Sequence, residues 1–442
     1  MMMMEWKWLW FIRMAVLLLV LEGCRWCTTD AWLEHERIAL LHLKPFFNYG
    51  NPLKSWVDLK GSDCCKWERV KCNTITRRVI QLSLNSTKWE YNMDYWYLNA
   101  SMFLPFEKLK SLYLSENAIG GNLENEGRFG KLSSTLSNLE ILDLSYNHLN
   151  DSILLSLSEL SSLRYLDLSH NRFEGSSHPR GKLITNYMVY KSGFQWLSRL
   201  TKLETLYLSG NSLKNSIMVY MRNLSSLKTL SLRYNLLEGK LIHTQGRLNS
   251  ILFDMRNLSS LKTLRLSSNQ LEGRLLDIQE LNNLTNLNYL DLSGNRIESI
   301  SNKGLSNLIN LKKLDLSKNQ IESLQSSKDG GRKLELTHLK ELNLNSNLLN
   351  NSVFASLNKL LNLKTLSISN QLKGPIDAKG KNIFFSQNLD SINKNIDNVL
   401  RKYNEVYMLP YFFPDLDAFT SLRELNMRAN ELIDFVIHKG II

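Results

Sequence analysis

One frame of leucines, L-x-x-L-x-L-x-x-N-x-L, recurs along most of the chain and limits how the chain can fold. Leucine supplies 86 and asparagine 46 of the 442 residues, so the frame also dominates the composition. Eleven copies, several of them 24 residues apart, are too regular to arise by chance. The copies lie at 109–119, 139–149, 163–173, 203–213, 227–237, 261–271, 287–297, 311–321, 339–349, 363–372 and 422–432.

The spacing of the leucines explains why the copies must fold together. Successive side chains of a β-strand point to opposite faces, so an L-x-L pair places both leucines on one face of a short strand. A single copy cannot bury its leucines, whereas stacked neighbours can. The asparagine carries a donor and an acceptor, so it can bond turn backbone from one coil to the next. These features predict an α/β fold, a leucine-rich repeat solenoid (horseshoe or superhelix) with a parallel β-sheet on its concave face.

The frame also predicts the domain organisation. The copy at 363–372 is one residue short, which puts Asn370 out of register. We predict repeats over 79–375, a degenerate repeat or non-repeat island over 376–420, and a final partial repeat over 421–442. Nothing after the last copy looks like a closing cap, so we expect a truncated array. The predicted ladder asparagines are Asn117, Asn147, Asn171, Asn211, Asn235, Asn269, Asn295, Asn319, Asn347 and Asn430.

Residues 1–23 are typical of a secretory signal peptide, with an uncleaved anchor as the alternative. The eight-residue apolar run at 14–21 spans roughly 12 Å as a helix, far less than a bilayer core. No later stretch approaches 18 uninterrupted apolar residues, so no other membrane span is predicted. All five cysteines lie in the first 72 residues, and a secreted chain favours disulfides over metal ligation there. We assign residues 24–78 to an N-terminal cap and predict no metal site and no cofactor.

The stretch at 33–84 contains LEHERIALLHLK, LKSW, DCCKWERVKC and RRVIQLSL, and it resembles the N-terminal cap of plant extracellular leucine-rich repeat proteins. The repeats at 230–241 and 264–275 resemble the plant-specific repeat, which carries a glycine after the ladder turn. Together these segments resemble plant receptor-like proteins. That resemblance implies a repeat ectodomain, a membrane helix, a short tail, a peptide or microbial ligand and a co-receptor kinase.

The same resemblance implies a disulfide between Cys65 and Cys72. It also implies that Cys64 pairs with a cysteine just before the LEHER helix, but here that position is Trp32. Either Cys24 or Cys27 takes over, or Cys64 is left free.

Departures from the L-D-L-S consensus mark candidate ligand-binding residues on the concave face. Tyrosine and arginine are the usual anchors of recognition surfaces. The alternative is a set of scattered solvated residues. The candidates are Tyr113, Tyr146, His170, Tyr207, Arg233, Tyr234 and Arg265.

Basic residues recur at the first position after the opening leucine of the frame. The net charge of +12 and this regular placement predict a basic row along one side of the sheet. Such a row could attract an acidic partner such as a wall polysaccharide, while nucleic acid is an improbable partner for a secreted chain. The alternative is a solvated consensus row. Its members are Lys110, Arg164, Lys228, Lys262, Lys312, Lys340, Lys364 and Arg423.

Seven N-x-S/T sequons predict glycosylation if the chain is secreted. No nucleophile elbow, phosphate-binding loop, metalloprotease helix or kinase signature occurs, so we do not expect an enzyme. The sequons are at Asn85, Asn99, Asn150, Asn223, Asn257, Asn283 and Asn350.

We therefore predict an extracellular ligand-recognition module of a receptor-like protein, in defence or developmental signalling through a partner kinase. Its ligand would be a peptide, a protein or a wall oligosaccharide. We expect an extracellular or cell-wall location, or the plasma membrane if a longer product carries a membrane helix. The alternatives are a soluble cell-wall inhibitor of a polygalacturonase-like glycosidase and a non-functional truncated receptor.

Overall fold

The computed structural model shows two compact units, Met1–Arg172 and Phe173–Ile442. The predicted signal peptide, Cys24, Cys27, Trp32, Asn350 and the segment 376–420 lie outside the described residues, and the predicted domain boundaries stay predictions. The described residues are 33–59, 61–88, 96–120, 136–157, 160–175, 194–240, 255, 257–275, 283–301, 305, 308–325, 336, 338–349, 353, 357, 360–371, 373–374, 421–426 and 430–432.

The first described element of the first unit is a helix over residues 33–43, which we call the cap helix. The strands are β1 (Val70–Cys72), β2 (Val79–Ser83), β3 (Ser111–Tyr113), β4 (Ile141–Asp143) and β5 (Tyr165–Asp167). β1 pairs antiparallel with β2, and β2, β3, β4 and β5 pair in parallel, in that order. Short helices precede β1 at Lys44–Phe46 and Cys64–Lys66 and lie between later strands at Ala100–Phe103, Asp151–Ile153 and Leu154–Leu157.

The cap is held to the first repeat by a buried carboxylate. Glu36 on the cap helix is fully buried, accepts from the Arg78 Nε at 2.7 Å, and accepts the Val79 backbone N–H at 2.8 Å. Trp56 and Trp67 are also buried and stack with their ring centroids 5.9 Å apart. Large apolar rings and one satisfied carboxylate therefore cover the end of the repeat stack.

One of the two disulfides implied by the family resemblance is present in the cap. Cys65 and Cys72 form a disulfide, which confirms the disulfide-bonded cap. Cys64 has a free thiol that is buried, with its Sγ 4.0 Å from the carbonyl oxygen of Leu33. The Cys64 sulfur therefore lies beside the start of the cap helix, close in sequence to the position that Trp32 occupies.

The described part of the second unit contains a main parallel sheet, a four-stranded sheet and a two-stranded sheet. The main-sheet strands are, in spatial order, β6 (Thr205–Tyr207), β7 (Thr229–Ser231), β9 (Thr263–Arg265), β11 (Tyr289–Asp291), β13 (Lys313–Asp315), β15 (Glu341–Asn343), β16 (Thr365–Ser367) and β18 (Glu424–Asn426). The four-stranded sheet has the order β14 (Ser323–Gln325), β12 (Arg296–Ser301), β10 (Gln270–Leu275) and β8 (Glu238–Lys240). The two-stranded sheet pairs β17 (Lys373–Gly374) with β19 (Glu431–Leu432). The short helices of this unit are Phe194–Arg199, Asn215–Ile217 and Met218–Met221.

The parallel sheets and the stacked repeats confirm the predicted leucine-rich repeat solenoid. The frame leucines fill the core: Leu227, Leu230 and Leu232 are all fully buried. The residues between them therefore point away from the core. We call this outward side of each main sheet the strand face.

The ladder asparagines do what their chemistry predicts. The Asn295 amide donates to the carbonyl oxygens of Leu266 at 3.1 Å and Leu292 at 2.9 Å. Its Oδ1 accepts the Leu271 backbone N–H at 3.1 Å. Leu266 and Leu271 belong to the preceding repeat, so the side chain ties one turn to the next and leaves no orphan group there.

The shortened copy keeps its ladder by a different residue. Asn370 lies one position before the ladder site, as its spacing indicated, and Gln371 takes that site. The Gln371 Oε1 accepts the Asn347 backbone N–H at 3.1 Å, and its Nε2 donates to the Leu344 carbonyl at 2.9 Å. The longer glutamine amide therefore replaces asparagine at this turn.

From Asn117 to Gln371, the residue before each ladder site has a left-handed backbone. Gly210 and Gly294 adopt it with φ of 65° and 63°, which glycine does without strain. Tyr146, His170 and Tyr234 adopt it too, with φ of 53°, 53° and 52°. A bulky residue there is unusual, so the packing of the turn must hold these three side chains in place.

Candidate functional site

Three predicted site residues lie on the strand face of the first unit. The rings of Tyr146 and His170 stack, with centroids 4.2 Å apart and planes 12° apart, and Tyr146 is 50% exposed. Partial burial lowers the pKa of His170. Tyr113 is paired in register with Asp143, and Asp143 with Asp167, whose pKa is raised by burial. The structure thus brings Tyr146 and His170 together and places Tyr113 in the neighbouring row of carboxylates.

On the second unit, Arg233 anchors a polar network that crosses three adjacent strands. Its Nε donates to the Ser267 Oγ at 2.7 Å, and that hydroxyl donates to the Asp291 Oδ2 at 2.9 Å. The Arg233 Nε lies 3.7 Å from the same carboxylate oxygen. Asp291 is 3% exposed and Arg233 is half-buried. The network holds the guanidinium in one place on the strand face.

Arg265, also a predicted residue, is next to an aromatic ring that the sequence did not single out. The guanidinium carbon of Arg265 lies 5.4 Å from the ring centroid of Tyr289, and the Lys313 Nζ lies 5.4 Å from the same centroid. Two cations therefore flank one ring, at distances where cation–π attraction acts. Lys313 is in turn held by Glu341 at 2.7 Å, and this hydrogen bond raises the pKa of Lys313.

Tyr207 and Tyr234 complete the predicted set on this unit. Tyr207 lies in register beside Ser231 of β7, and Tyr234 is 56% exposed just beyond that strand. The guanidinium carbon of Arg233 lies 5.6 Å from the Tyr234 ring centroid. Tyr207, Arg233, Tyr234 and Arg265 thus share one patch of the strand face, which we call the Tyr/Arg patch.

The sequence did not single out Ser267, Tyr289 or Asp291. Asp291 follows the consensus, and its Oδ1 does accept the Ser293 N–H at 3.1 Å in the consensus manner. Its second oxygen is the part that joins the network. Tyr289 occupies a position that holds threonine in β7 and β9. That departure was a readable signal.

Basic side chains recur at one frame position of the strands that carry the Tyr/Arg patch and of the strands that follow them. We call Lys228, Lys262, Lys312, Lys340, Lys364 and Arg423 the basic row. Lys110 and Arg164 hold the equivalent position in the first unit. Lys110 pairs with Glu140 at 2.9 Å there.

The described sequons differ in exposure. The Asn99 side chain is exposed, and its Oδ1 accepts the Ser101 Oγ–H at 2.7 Å. Asn223, Asn257 and Asn283 hold the same frame position, four residues before the opening leucine, and are exposed as well. Asn85 and Asn150 are half-buried.

Across the described ranges, no three His, Cys, Asp or Glu side chains come together closely enough to hold a metal ion. Within the same part of the chain, no helix has the length and apolar character needed to cross a bilayer.

Family models match both the N-terminal segment and the repeats. A Leucine rich repeat N-terminal domain model matches residues 33–73. Leucine rich repeat models match 135–158, 162–181, 202–224 and 285–329.

The curated relatives are plant proteins. Cuscuta receptor 1 of Solanum lycopersicum is 32% identical over 252 residues, which cover 51% of this chain and 21% of that protein. Receptor like protein 21 of Arabidopsis thaliana is 32% identical over 236 residues, which cover 51% of this chain and 22% of that protein. The matched segments therefore span only about a fifth of these relatives.

Among solved structures, the chain is similar to the Arabidopsis receptor kinase HAESA in complex with the peptide hormone IDA and the co-receptor SERK1. The TM-score is 0.57 at 26% identity, over 78% of this chain and 51% of that one. Fold, cap, repeats and relatives agree: the chain is a leucine-rich repeat protein with a leucine-rich repeat N-terminal domain, similar to plant receptor-like proteins.

Proposed function

We propose that the chain is an extracellular ligand-recognition module of a receptor-like protein, and that it binds a peptide or protein through the Tyr/Arg patch. The observation that carries this proposal is the Arg233–Ser267–Asp291 network. It holds an arginine at a fixed place beside an exposed tyrosine, which is the arrangement of a preformed binding anchor. The similarity to a receptor kinase solved with a peptide hormone and a co-receptor supports the same class of ligand.

The proposal includes secretion, glycosylation and signalling through a partner kinase, in defence or development. The chemistry proposed is binding alone, without catalysis. A plasma-membrane location would apply to a longer product with a membrane helix.

A double substitution tests the Tyr/Arg patch. Tyr207→Ala with Tyr234→Ala removes two aromatic side chains from the strand face without touching a buried leucine. We expect secretion to be unchanged and the affinity for a peptide captured from a synthetic secreted-peptide library to fall by about tenfold or more. The measurement is titration of purified wild-type and variant chains with that peptide.

The matched control is Tyr49→Ala with Tyr220→Ala, which removes two tyrosines away from the strand face. Equal affinity of wild type and the patch variant would reject the patch as the ligand site. Inhibition of a polygalacturonase by the wild-type chain would instead favour the glycosidase-inhibitor alternative.

A further inference from the structure

The basic row of the second unit is an unbroken line of neighbouring backbone positions. Lys262 donates its backbone N–H to the Lys228 carbonyl at 2.8 Å, and Lys340 donates to Lys312 at 2.8 Å. Lys364 donates to Lys340 at 2.7 Å and Arg423 to Lys364 at 2.8 Å. Asn288, between Lys262 and Lys312, is the one uncharged member of this line. Seven neighbouring strands at about 4.8 Å give a row roughly 29 Å long.

The charges of this row are mostly uncompensated. Lys228 pairs with Glu204. In contrast, Lys262, Lys312, Lys340 and Lys364 make no ion pair with any residue that the structure describes. Lys262, Lys312 and Lys340 are exposed and Lys364 is half-buried.

Acidic residues of the same strands lie in other rows. Asp291 and Asp315 are at the third position of their strands, where they accept hydrogen bonds from the hydroxyls of Ser267 and Ser317, respectively. Glu341 forms an ion pair with Lys313. Positive charge is therefore concentrated in one line, and like charges on neighbouring strands repel each other. An elongated anion lying along the line would relieve that repulsion.

We propose that the basic row binds a linear acidic polysaccharide, a polyuronate with one carboxylate on each sugar. Such a chain carries one negative charge on each sugar along its whole length, so several of its carboxylates can face the row at once. The row follows a single frame position from strand to strand, which suits one extended polymer better than the broad surface of an anionic membrane. Its own members are lysine and arginine, without the aromatic side chains on which single-stranded nucleic acids stack.

This inference rests on the extracellular location in the proposed function but not on a peptide ligand. Polyuronate binding at the row and peptide binding at the Tyr/Arg patch use different residues. Each can therefore fail without the other.

The test titrates the full chain with oligogalacturonates long enough to span the row, and with the same oligomers after full methyl-esterification. The row variant carries Lys262→Gln, Lys312→Gln, Lys340→Gln and Lys364→Gln. The matched control carries Lys54→Gln, Lys71→Gln, Lys202→Gln and Lys214→Gln, which removes the same number of exposed charges elsewhere. A second variant with arginine at the four row positions keeps the charge. Thermal melting checks that every variant is folded.

We expect the row variant to lose at least about tenfold in affinity, whereas the control variant stays within about twofold of wild type. The arginine variant should bind, the esterified oligomer should not, and added salt should weaken binding. Equal losses in the row and control variants would show attraction to net charge alone and would overturn the proposal. Binding of the esterified oligomer, or no binding by wild type, would overturn it as well.

Discussion

Asp291 shows how a consensus residue acquires a second role from its neighbours. One carboxylate oxygen caps Ser293, as its equivalents do in other repeats, and the other oxygen accepts from Ser267. The second contact exists because Ser267 follows β9, which pairs with the strand of Asp291, and Arg233 joins it because β7 pairs with β9. The proposed recognition surface thus includes a residue that also orders its own turn.

Cys64 is the residue at which the cap departs most from its relatives' implied pairing. Its thiol is buried, and burial raises the pKa of Cys64 to about 12. The thiolate, not the thiol, is the reactive form. Burial and protonation therefore both protect the Cys64 sulfur from reaction with thiol reagents.

We predict that Cys64 does not react with a thiol reagent such as DTNB in the native chain at pH 8, and reacts once the chain is unfolded. The unfolded thiol titrates near pH 9.0, while the native thiol keeps its proton to about pH 12. The native state thus binds more protons in that window, so the contribution of Cys64 to stability falls as pH rises through it. Rapid native labelling, or a mapped disulfide between Cys64 and Cys24 or Cys27, would contradict this prediction. A Cys64→Ala variant supplies the blank.

At the scale of the repeat, the ladder is the element that fixes each turn. Strands of three residues form few backbone bonds of their own, so the ladder amide supplies the connection between turns. Gln371 shows that a ladder site needs a side-chain amide that reaches the neighbouring turn, and that this amide need not belong to asparagine.

We predict that Asn295→Ala lowers the free energy of unfolding by about 3 kcal/mol, because it leaves buried backbone groups of two repeats unpaired. Asn310→Ala is the matched control: the Asn310 amide makes one exposed bond, to the Thr285 carbonyl. That change should cost under about 1 kcal/mol. Urea unfolding followed by circular dichroism measures both. Equal costs would mean that the ladder bonds do not stabilise the stack.

For the whole molecule, charge and glycan sites fall on different parts of the repeat. The basic row directly follows the opening leucine of the frame, while three exposed sequons precede that leucine by four residues. In these three repeats the basic or polar position after the opening leucine is therefore separate from the candidate glycan position.

We predict that the chain, secreted from plant cells, carries glycans at Asn99, Asn223, Asn257 and Asn283, because these side chains are exposed. Asn85 should be the least occupied of the described sequons, since Thr87, which supplies the hydroxyl, is fully buried. Mass spectrometry of glycopeptides measures occupancy at each position. High occupancy at Asn85 with bare Asn223, Asn257 and Asn283 would run against it.

The leucine frame by itself determined the solenoid, the parallel strands, the buried leucines and the ladder. These features depend on frame positions that every copy shares. A residue such as Leu230 or Asn295 can therefore be assigned to the core or to the ladder from its position in the frame. The Cys65–Cys72 pairing followed from resemblance rather than from spacing, and the structure contains it.

Contacts between strands were decided by tertiary structure alone. Arg233, Ser267 and Asp291 are 34 and 24 residues apart in sequence and meet because strands of successive repeats pair in register. The Tyr146–His170 stack arises in the same way, whereas Cys64 is buried in the cap, beside the start of the cap helix. A repeat pattern fixes which positions face outward, but the side chains that meet there depend on the loop lengths that bring each strand beside the next.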